Sequence, residues 1–378
     1  MKLVPLVAEE YGIRDAPSRR ALFDAAHVTA LYTGPFLLNY MQAMRPVART
    51  LIAKQPDTRL LFVARGGTPL YECFAILEPQ LIAGHGIHVS LSRVLVEAAI
   101  RDLERRKRLA IGNPAVRYLG KDIDDSLIDG AYDAVTRYLL KARALGGTSV
   151  IFDICHRATL QKMLQVLYSK TRFSGQYLFY EEAQGDPRPD TKCGYALHRR
   201  LAEPIGYGAA VHEGPLLARE EIMRAVEDTL NGPYSTTVRI VDGQPQRHLE
   251  AGLHHRMDLS RIDPVWKDEN LRIAVKDLNL RVLRSLAHWV VGQKPATASY
   301  HLAAGKNNLL GQLHGFLLDD PRGDPAFRSV MSAHVPLRSP RYAPVLWTAS
   351  GHRAAPRPTK APRNVPAYSP RLRTSRSL

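Results

Sequence analysis

The chain predicts an α/β protein built on a parallel sheet, and three observations carry that prediction. Two matched units occur, Leu60-Leu61-Phe62-Val63-Ala64-Arg65-Gly66-Gly67 and Ser149-Val150-Ile151-Phe152-Asp153-Ile154-Cys155-His156-Arg157-Ala158-Thr159-Leu160-Gln161, each a short apolar run that ends in a polar turn with an amphipathic stretch behind it. The runs are continuously apolar, as strands buried on both faces are. The strand-then-helix rhythm also recurs along the chain, which implies right-handed crossovers and a parallel sheet. Sheets of this kind collect ligands outside the carboxyl ends of their strands, where helix N-termini attract anions. Arg65, Gly66, Gly67, Asp153, Arg157 and Thr159 are therefore the first residues expected to share a site.

The elements follow in order. Residues 1–20 read as an irregular lead-in. From 21 to 53 the pattern is helical in two pieces divided at Thr33-Gly34-Pro35, where glycine stops one helix and proline opens the next. Phe36, Leu37, Tyr40, Met41 and Met44 recur at helical spacing and form a core stripe. After the first strand, 70–80 packs back as a helix, and 87–91 is a second strand ending in Ser92-Arg93. The segment EAAIRDLERRKRL, 97–109, is a charged helix whose interleaved signs mark either a solvated face or a cover over a site. A helix over 127–145 ends at Gly146-Gly147 before the strand 149–154; a helix over 160–168 and a strand over 175–180 follow. EEAQGDPRP, 181–189, is a polar turn region, helical signals resume at 218–230, Val238 to Val241 with Asp242-Gly243 reads as a hairpin arm, and 271–291 is the longest helical pattern. The expected organisation is a helical N-terminal lead over 1–58, an α/β core over 59–216, a mainly helical addition over 217–335 and a basic, proline-rich, disordered tail over 336–378.

Bulk properties bound the rest. At 378 residues the chain buries a sizeable core. Its cysteines, Cys73, Cys155 and Cys193, form no CxxC pair, which argues against a disulfide framework or zinc knuckle and fits a cytoplasmic home. The N-terminal MKLVPLVAEEYG is too short and too soon interrupted for a secretory signal, and no stretch approaches the roughly 20 apolar residues of a membrane span. The net charge is +16, but nine arginines and lysines and no acid fall after residue 337, so the tail carries +9 and the remainder +7. Nucleic acid is therefore an expected partner only through that tail. The sequence leaves the oligomeric state open.

Several residues carry chemistry. Arg65-Gly66-Gly67 combines glycines that permit φ > 0 and close backbone approach with a guanidinium fork suited to phosphate; the same tripeptide also makes an ordinary strand-to-helix turn. In the second unit, backbone amides and the Thr159 hydroxyl are placed to hold a phosphate, Arg157 to add charge, and Asp153 to meet a sugar hydroxyl or a metal. Asp153 and Thr159 serve equally as helix-capping residues. Ser92-Arg93 is a third contribution to the same rim. His156 has the pKa range of a general base, His254-His255 lacks a carboxylate at ligand spacing, and Cys155 lacks a base and orienter. No GxSxG, P-loop, HExxH or GxGxxG pattern occurs.

These residues resemble two families. Thr33-Gly34-Pro35, LLFVARGG, Leu91-Ser92-Arg93, IFDICHRATLQKML and SGQYLFY, in that order, resemble the region that follows the haloacid-dehalogenase-like segment in bacterial proteins associated with surface-polysaccharide biosynthesis. AVEDTLNGPYSTTVRIVDG is similar to that family's acidic helix and short strand pair, and the likeness covers roughly residues 30–290. The DxDxT nucleophile motif is missing, Ala158 stands where a glycine is expected, and Gly66 replaces an aspartate. At fold level the chain is similar to type I phosphoribosyltransferases, in which an RGG-like loop meets pyrophosphate and a later acidic strand end precedes a loop that cradles a ribose 5-phosphate; Ile154 stands where the second acid belongs.

The resemblances imply a phosphoribosyltransferase-like (Rossmann-like) α/β parallel sheet with helical N- and C-terminal additions. The function they imply is binding of a phosphorylated sugar or nucleotide by a phosphoribosyltransferase-like domain, with transfer or cleavage left open and, if it occurs, of the phosphoribosyltransferase type; the alternative is a non-catalytic accessory protein of cell-surface polysaccharide biosynthesis. Asp153 is the expected catalytic residue. Arg65, Gly66, Gly67, Ser92, Arg93, Arg157, Ala158 and Thr159 are the expected substrate and phosphate contacts, with Mg²⁺ as the cofactor the acid admits.

Overall fold

The structure, a computed structural model, describes residues 2–112, 117, 123–154, 157–201, 220–247 and 262–334. Among them β1 (Arg59–Ala64), β2 (Gly86–Ser90), β3 (Gly147–Asp153), β4 (Thr171–Glu181) and β5 (Lys192–Arg199) pair in the order β2-β1-β3-β4-β5, and every neighbouring pair is parallel. The chain therefore grows outward from β1 to β2, then returns past β1 to add β3, β4 and β5 on the other side. The reversal makes a switch point between β1 and β3, where the connections leave in opposite directions and open a crevice at the carboxyl ends.

Both faces of the sheet are covered, which explains the unbroken apolar runs. Leu60, Phe62, Val150 and Phe152 face one core, whereas Leu61, Val63 and Ile151 face the other. The first core is packed by α1 (Leu3–Glu10), α2 (Ala16–Val28), α3 (Gly34–Lys54) and α4 (Gly67–Leu77). The second is packed by α6 (Arg93–Lys107), α8 (Ala131–Lys141) and α9 (Thr159–Leu167); α5 (Pro79–His85) and α7 (Asp125–Ile128) are short connectors. At the sheet centre the rings of Phe62, Phe74 and Phe152 meet with centroids 5.4 to 5.8 Å apart. Each such side chain contributes about 1.5–3 kcal/mol on burial. After α10 (Glu220–Leu230) and the ribbon of β6 (Ile240–Val241) and β7 (Gln244–Pro245), the helices α11 (Glu269–Gly292), α12 (Pro295–Leu317) and α13 (Pro325–His334) extend the first core away from the sheet. No helix of the described residues is long and apolar enough to cross a membrane.

Four expectations need correction. The lead-in is not irregular: α1 occupies Leu3–Glu10, and Asp15 caps α2 by accepting from Ser18 N–H at 2.8 Å. Gly34-Pro35 does not break the helix, because a π-helical turn over Thr29–Thr33 joins α2 to α3 and a proline in a first turn loses no needed hydrogen bond. Gly34 is instead dictated by packing, since a Cβ there would lie 2.7 Å from Leu286 Cδ1 on α11 and 2.4 Å from the Thr29 carbonyl oxygen. The charged helix α6 is not simply solvated. Glu97 is fully buried and paired with Arg101 and Arg117, and Asp102 is held by Arg106 and the Tyr132 N–H. Finally, residues 192–199, whose Lys192, His198 and Arg199 hide the strand pattern, form the edge strand β5, and residues 182–191 return the chain to its start. A buried ion pair, Lys192 Nζ to Asp186 Oδ1 at 2.9 Å, fixes that short crossover, with Lys192 also donating to the Arg188 carbonyl at 2.8 Å.

The expected hairpin is present. Asp242 and Gly243 both adopt positive φ, 50° and 72°, as a two-residue primed turn between β6 and β7 requires.

Candidate functional site at the sheet rim

The carboxyl ends of β1 and β3 are adjacent in the sheet, Phe62 lying opposite Phe152 in register. Beyond them the two loops touch. A Cβ placed on Gly66 would lie 2.4 Å from Asp153 Oδ1 and 3.3 Å from the Ile154 nitrogen. A Cβ on Gly67 would lie 2.7 Å from the Phe62 carbonyl carbon and 3.3 Å from the Phe152 oxygen. The reason for these glycines differs from the expected one. Gly66 has φ −61°, an ordinary value, so the position demands space rather than left-handed backbone. Asp153 is half-buried, and its Oδ1 accepts from the Ile154 N–H at 2.8 Å, which turns the carboxylate toward the Arg65-Gly66 loop.

The second loop is shaped for a tight entry into α9. Ala158 is buried and left-handed, with φ 46° and ψ 31°, immediately before Thr159 opens the helix. A residue with a Cβ costs about 1–2 kcal/mol in that conformation, so the glycine expected from the resemblance answers a real backbone demand. Arg157 is exposed beside it and Thr159 half-exposed. Cys155 and His156 lie outside the described residues, as does His254-His255.

At the tip of β2, Ser92 is a structural cap. Its hydroxyl accepts from the Leu95 N–H at 3.0 Å, holding the first turn of α6, and donates to the Thr237 carbonyl. Arg93 follows at the start of α6 and is exposed. Thr237 belongs to the segment after α10, which runs over this corner of the sheet. A Cβ on Gly232 would lie 3.6 Å from Thr68 Cγ2, and Thr68 itself bonds His88 Nε2 at 3.1 Å. His88 stacks on Tyr71 with centroids 5.2 Å apart; burial, aided by the charge of Arg247, pushes its pKa down to about 4, so the ring is neutral.

The same helix brings a group that sequence reasoning missed. Glu227 lies within the fields of Arg65 and Arg93, which oppose the rise that burial imposes on its carboxyl pKa. Although deeply set, Glu227 keeps part of its surface accessible. Its neighbour Asp228 serves the scaffold: despite burial, Lys276 Nζ and His334 Nδ1, each at 2.7 Å, hold its carboxyl well below the usual range. The only signal in the chain is an acidic pair within an amphipathic helix, which has no local link to Arg65 or Arg93.

The rim thus gathers Arg65, Gly66, Gly67 and Asp153 directly, with Arg93 on the β2 side and Arg157, Ala158 and Thr159 on the β3 side. Among the described residues no three histidine, cysteine or acidic side chains converge as a metal site. A separate cavity of about 210 Å³, lined by residues including Gln42, Arg45, Leu77, Val290 and Pro295, lies toward the C-terminal end of α4, away from the rim. No protein-family model matches this chain, and no curated protein matches it significantly in sequence.

Proposed function

We propose that the sheet rim binds a phosphorylated sugar or nucleotide. The observation that carries this reading is the approach of Gly66 to Asp153, which joins the two anion-suited loops at the β1–β3 switch point. Arg65 and the amides of Gly66 and Gly67 meet a diphosphate or terminal phosphate. The start of α9, with Thr159 and Arg157, meets a second phosphate, helped by the helix dipole. Asp153 accepts from sugar hydroxyls. Mg²⁺ fits this donor set as an ion arriving with the ligand, since it takes one or two carboxylates and completes its shell with phosphate oxygens and water. With turnover, the protein is a transferase of the phosphoribosyltransferase type, acting in the cytoplasm.

A second reading, an accessory binding protein of surface-polysaccharide assembly, draws support from Ile154, which leaves Asp153 as a single acid at the strand end. Both readings require the same binding event. Isothermal titration of the full chain with ribose 5-phosphate and with a nucleoside diphosphate tests it. Binding that Arg65→Ala and Asp153→Ala each weaken by about tenfold, the loss of one charge-assisted hydrogen bond, supports the reading. Absence of binding, or indifference to both substitutions, overturns it.

A further inference from the structure

Away from the rim, one cavity combines a positive charge with apolar walls. It encloses about 210 Å³ where α3, the end of α4, the end of α11 and the first turn of α12 meet. Leu77, Val290 and Ala298 line it and are themselves buried, Gln42 and Gln293 add neutral polar groups, and Arg45 is the one charged side chain among the described residues that line it. The Arg45 guanidinium is held in place. Its Nε donates to Glu78 Oε1 and its Nη1 to Gln42 Oε1 at 2.7 Å, while Arg49 Nη2 donates to both carboxylate oxygens of Glu78 at 2.8 Å. The Glu78 side chain, 9% exposed, is thus shared by two arginines, and the group of three carries one positive charge in excess. These bonds take two of the five N–H donors of Arg45, so the fork keeps donors for an anion. A cation locked by its neighbours, with apolar surface beside it, is what recognition of an amphipathic anion requires.

We infer that this cavity is a second binding site, for a small monocarboxylate with a short branched apolar chain. The carboxylate meets Arg45, whose planar fork matches two carboxylate oxygens, and the chain lies on Leu77, Val290 and Ala298. The site is independent of the function proposed for the rim. Size sets the ligand class: a cavity of about 150 Å³ takes up benzene, so 210 Å³ admits roughly six to ten non-hydrogen atoms, far short of a nucleotide. Charge sets the sign, because one excess positive charge balances one carboxylate. Inorganic phosphate carries more charge and no carbon, and would leave the apolar walls without a partner. A purely apolar guest fails for the opposite reason, since it would strip water from a guanidinium and offer no acceptor in exchange. Because α3, α4, α11 and α12 all supply walls, occupancy ties the helices packed on the sheet to the C-terminal helices, and it stabilises the folded chain by mass action.

Saturation-transfer NMR on the full chain tests this with three probes: 3-methylbutanoate, its neutral isostere 3-methylbutanamide, and acetate. The wild type is expected to bind 3-methylbutanoate, and to bind the amide and acetate each about tenfold more weakly, because the amide gives up the charge-assisted bond and acetate the buried chain. Arg45→Met keeps the apolar stem and removes the charge, so it should weaken 3-methylbutanoate about tenfold and leave the amide unchanged. Ser299 is exposed on the cavity wall, and Ser299→Leu adds volume there without touching the core; it should weaken 3-methylbutanoate and the amide alike. Arg65→Ala at the rim should change none of these affinities, which keeps this site separate from the rim reading. No binding by the wild type, equal affinity for carboxylate and amide, or an affinity that Arg45→Met or Ser299→Leu leaves intact overturns the inference. Loss of 3-methylbutanoate binding in Arg65→Ala overturns it too, by moving the ligand to the rim. If circular dichroism shows that Arg45→Met does not fold, the wild-type comparison of carboxylate with amide and the Ser299→Leu result decide.

Discussion

The contact between Gly66 and Asp153 makes a quantitative prediction that separates two neighbouring glycines. Alanine at Gly67 would put its Cβ 2.7 Å from the Phe62 carbonyl carbon, well inside the about 3.5–4.0 Å at which carbon atoms rest against each other. The obstacle is backbone in the middle of a parallel ladder, paired on both sides with β2 and β3, and cannot move aside. Overpacking of this kind costs about 1–3 kcal/mol, and a rigid obstacle puts Gly67→Ala at the upper end. At Gly66 the obstacle is a carboxylate oxygen, 2.4 Å from the added Cβ, which can swing away by giving up its bond to the Ile154 N–H, worth about 0.5–1.5 kcal/mol. The backbone of Gly66 suits alanine, and the lost freedom of the unfolded chain returns about 0.4–1 kcal/mol. Gly66→Ala should therefore sit within about 1 kcal/mol of wild type in stability while displacing Asp153 and weakening ligand binding. Urea denaturation of the single variants and of Gly66→Ala combined with Asp153→Ala completes a cycle. We expect a coupling of about 1 kcal/mol, because removing the carboxylate relieves the clash. A Gly67→Ala variant no less stable than Gly66→Ala, or a cycle with no coupling, would refute the loop geometry on which the site depends.

Two further outcomes probe the surroundings of the rim. His88, lowered to about 4 by burial and by Arg247, stays neutral in the folded protein, whereas in the unfolded chain it takes up a proton below its ordinary value near 6.5. Its contribution is complete above that upper value and is lost as pH falls toward 4, by up to about 3 kcal/mol at about 1.36 kcal/mol per unit. Urea midpoints of wild type and His88→Gln should thus diverge at pH 7.5 and converge by pH 4.5; a pH-independent difference contradicts the buried neutral ring. At Ala158, relief of the left-handed cost by glycine, about 1–2 kcal/mol, is offset by about 0.5–1 kcal/mol of chain entropy and about 0.8 kcal/mol of buried methyl. Ala158→Gly should therefore stay within about 1 kcal/mol of wild type, and Ala158→Val should lose more than about 2 kcal/mol, since a branched side chain suits neither the positive φ nor the close packing. Equal stability of the valine variant would show that the turn does not enforce its conformation.

The strands apolar on both faces were legible in the chain, because burial on both sides leaves a short unbroken apolar run bounded by turn residues. The chain alone did not show β5, whose Lys192 is buried only through its ion pair with Asp186, and Gly34-Pro35 read as a break when the glycine answers to Leu286, far along the chain. The charged face of α6 misled for a related reason: Glu97 and Asp102 are buried with partners that only the fold supplies.

What the amino-acid order determined by itself was local: where strands end, which turns carry glycine and arginine, and therefore which loops could form a rim. Hydrogen bonding and side-chain periodicity act over a few residues, so these features are written in neighbouring positions. Only the tertiary structure decided that β1 and β3 lie side by side, that Gly66 abuts Asp153, that Ser92 caps α6, and that Asp228 pairs with Lys276 and His334. Those pairings depend on strand order and helix packing, which arise from burying apolar surface across the whole chain and leave no short-range signature at the residues they bring together.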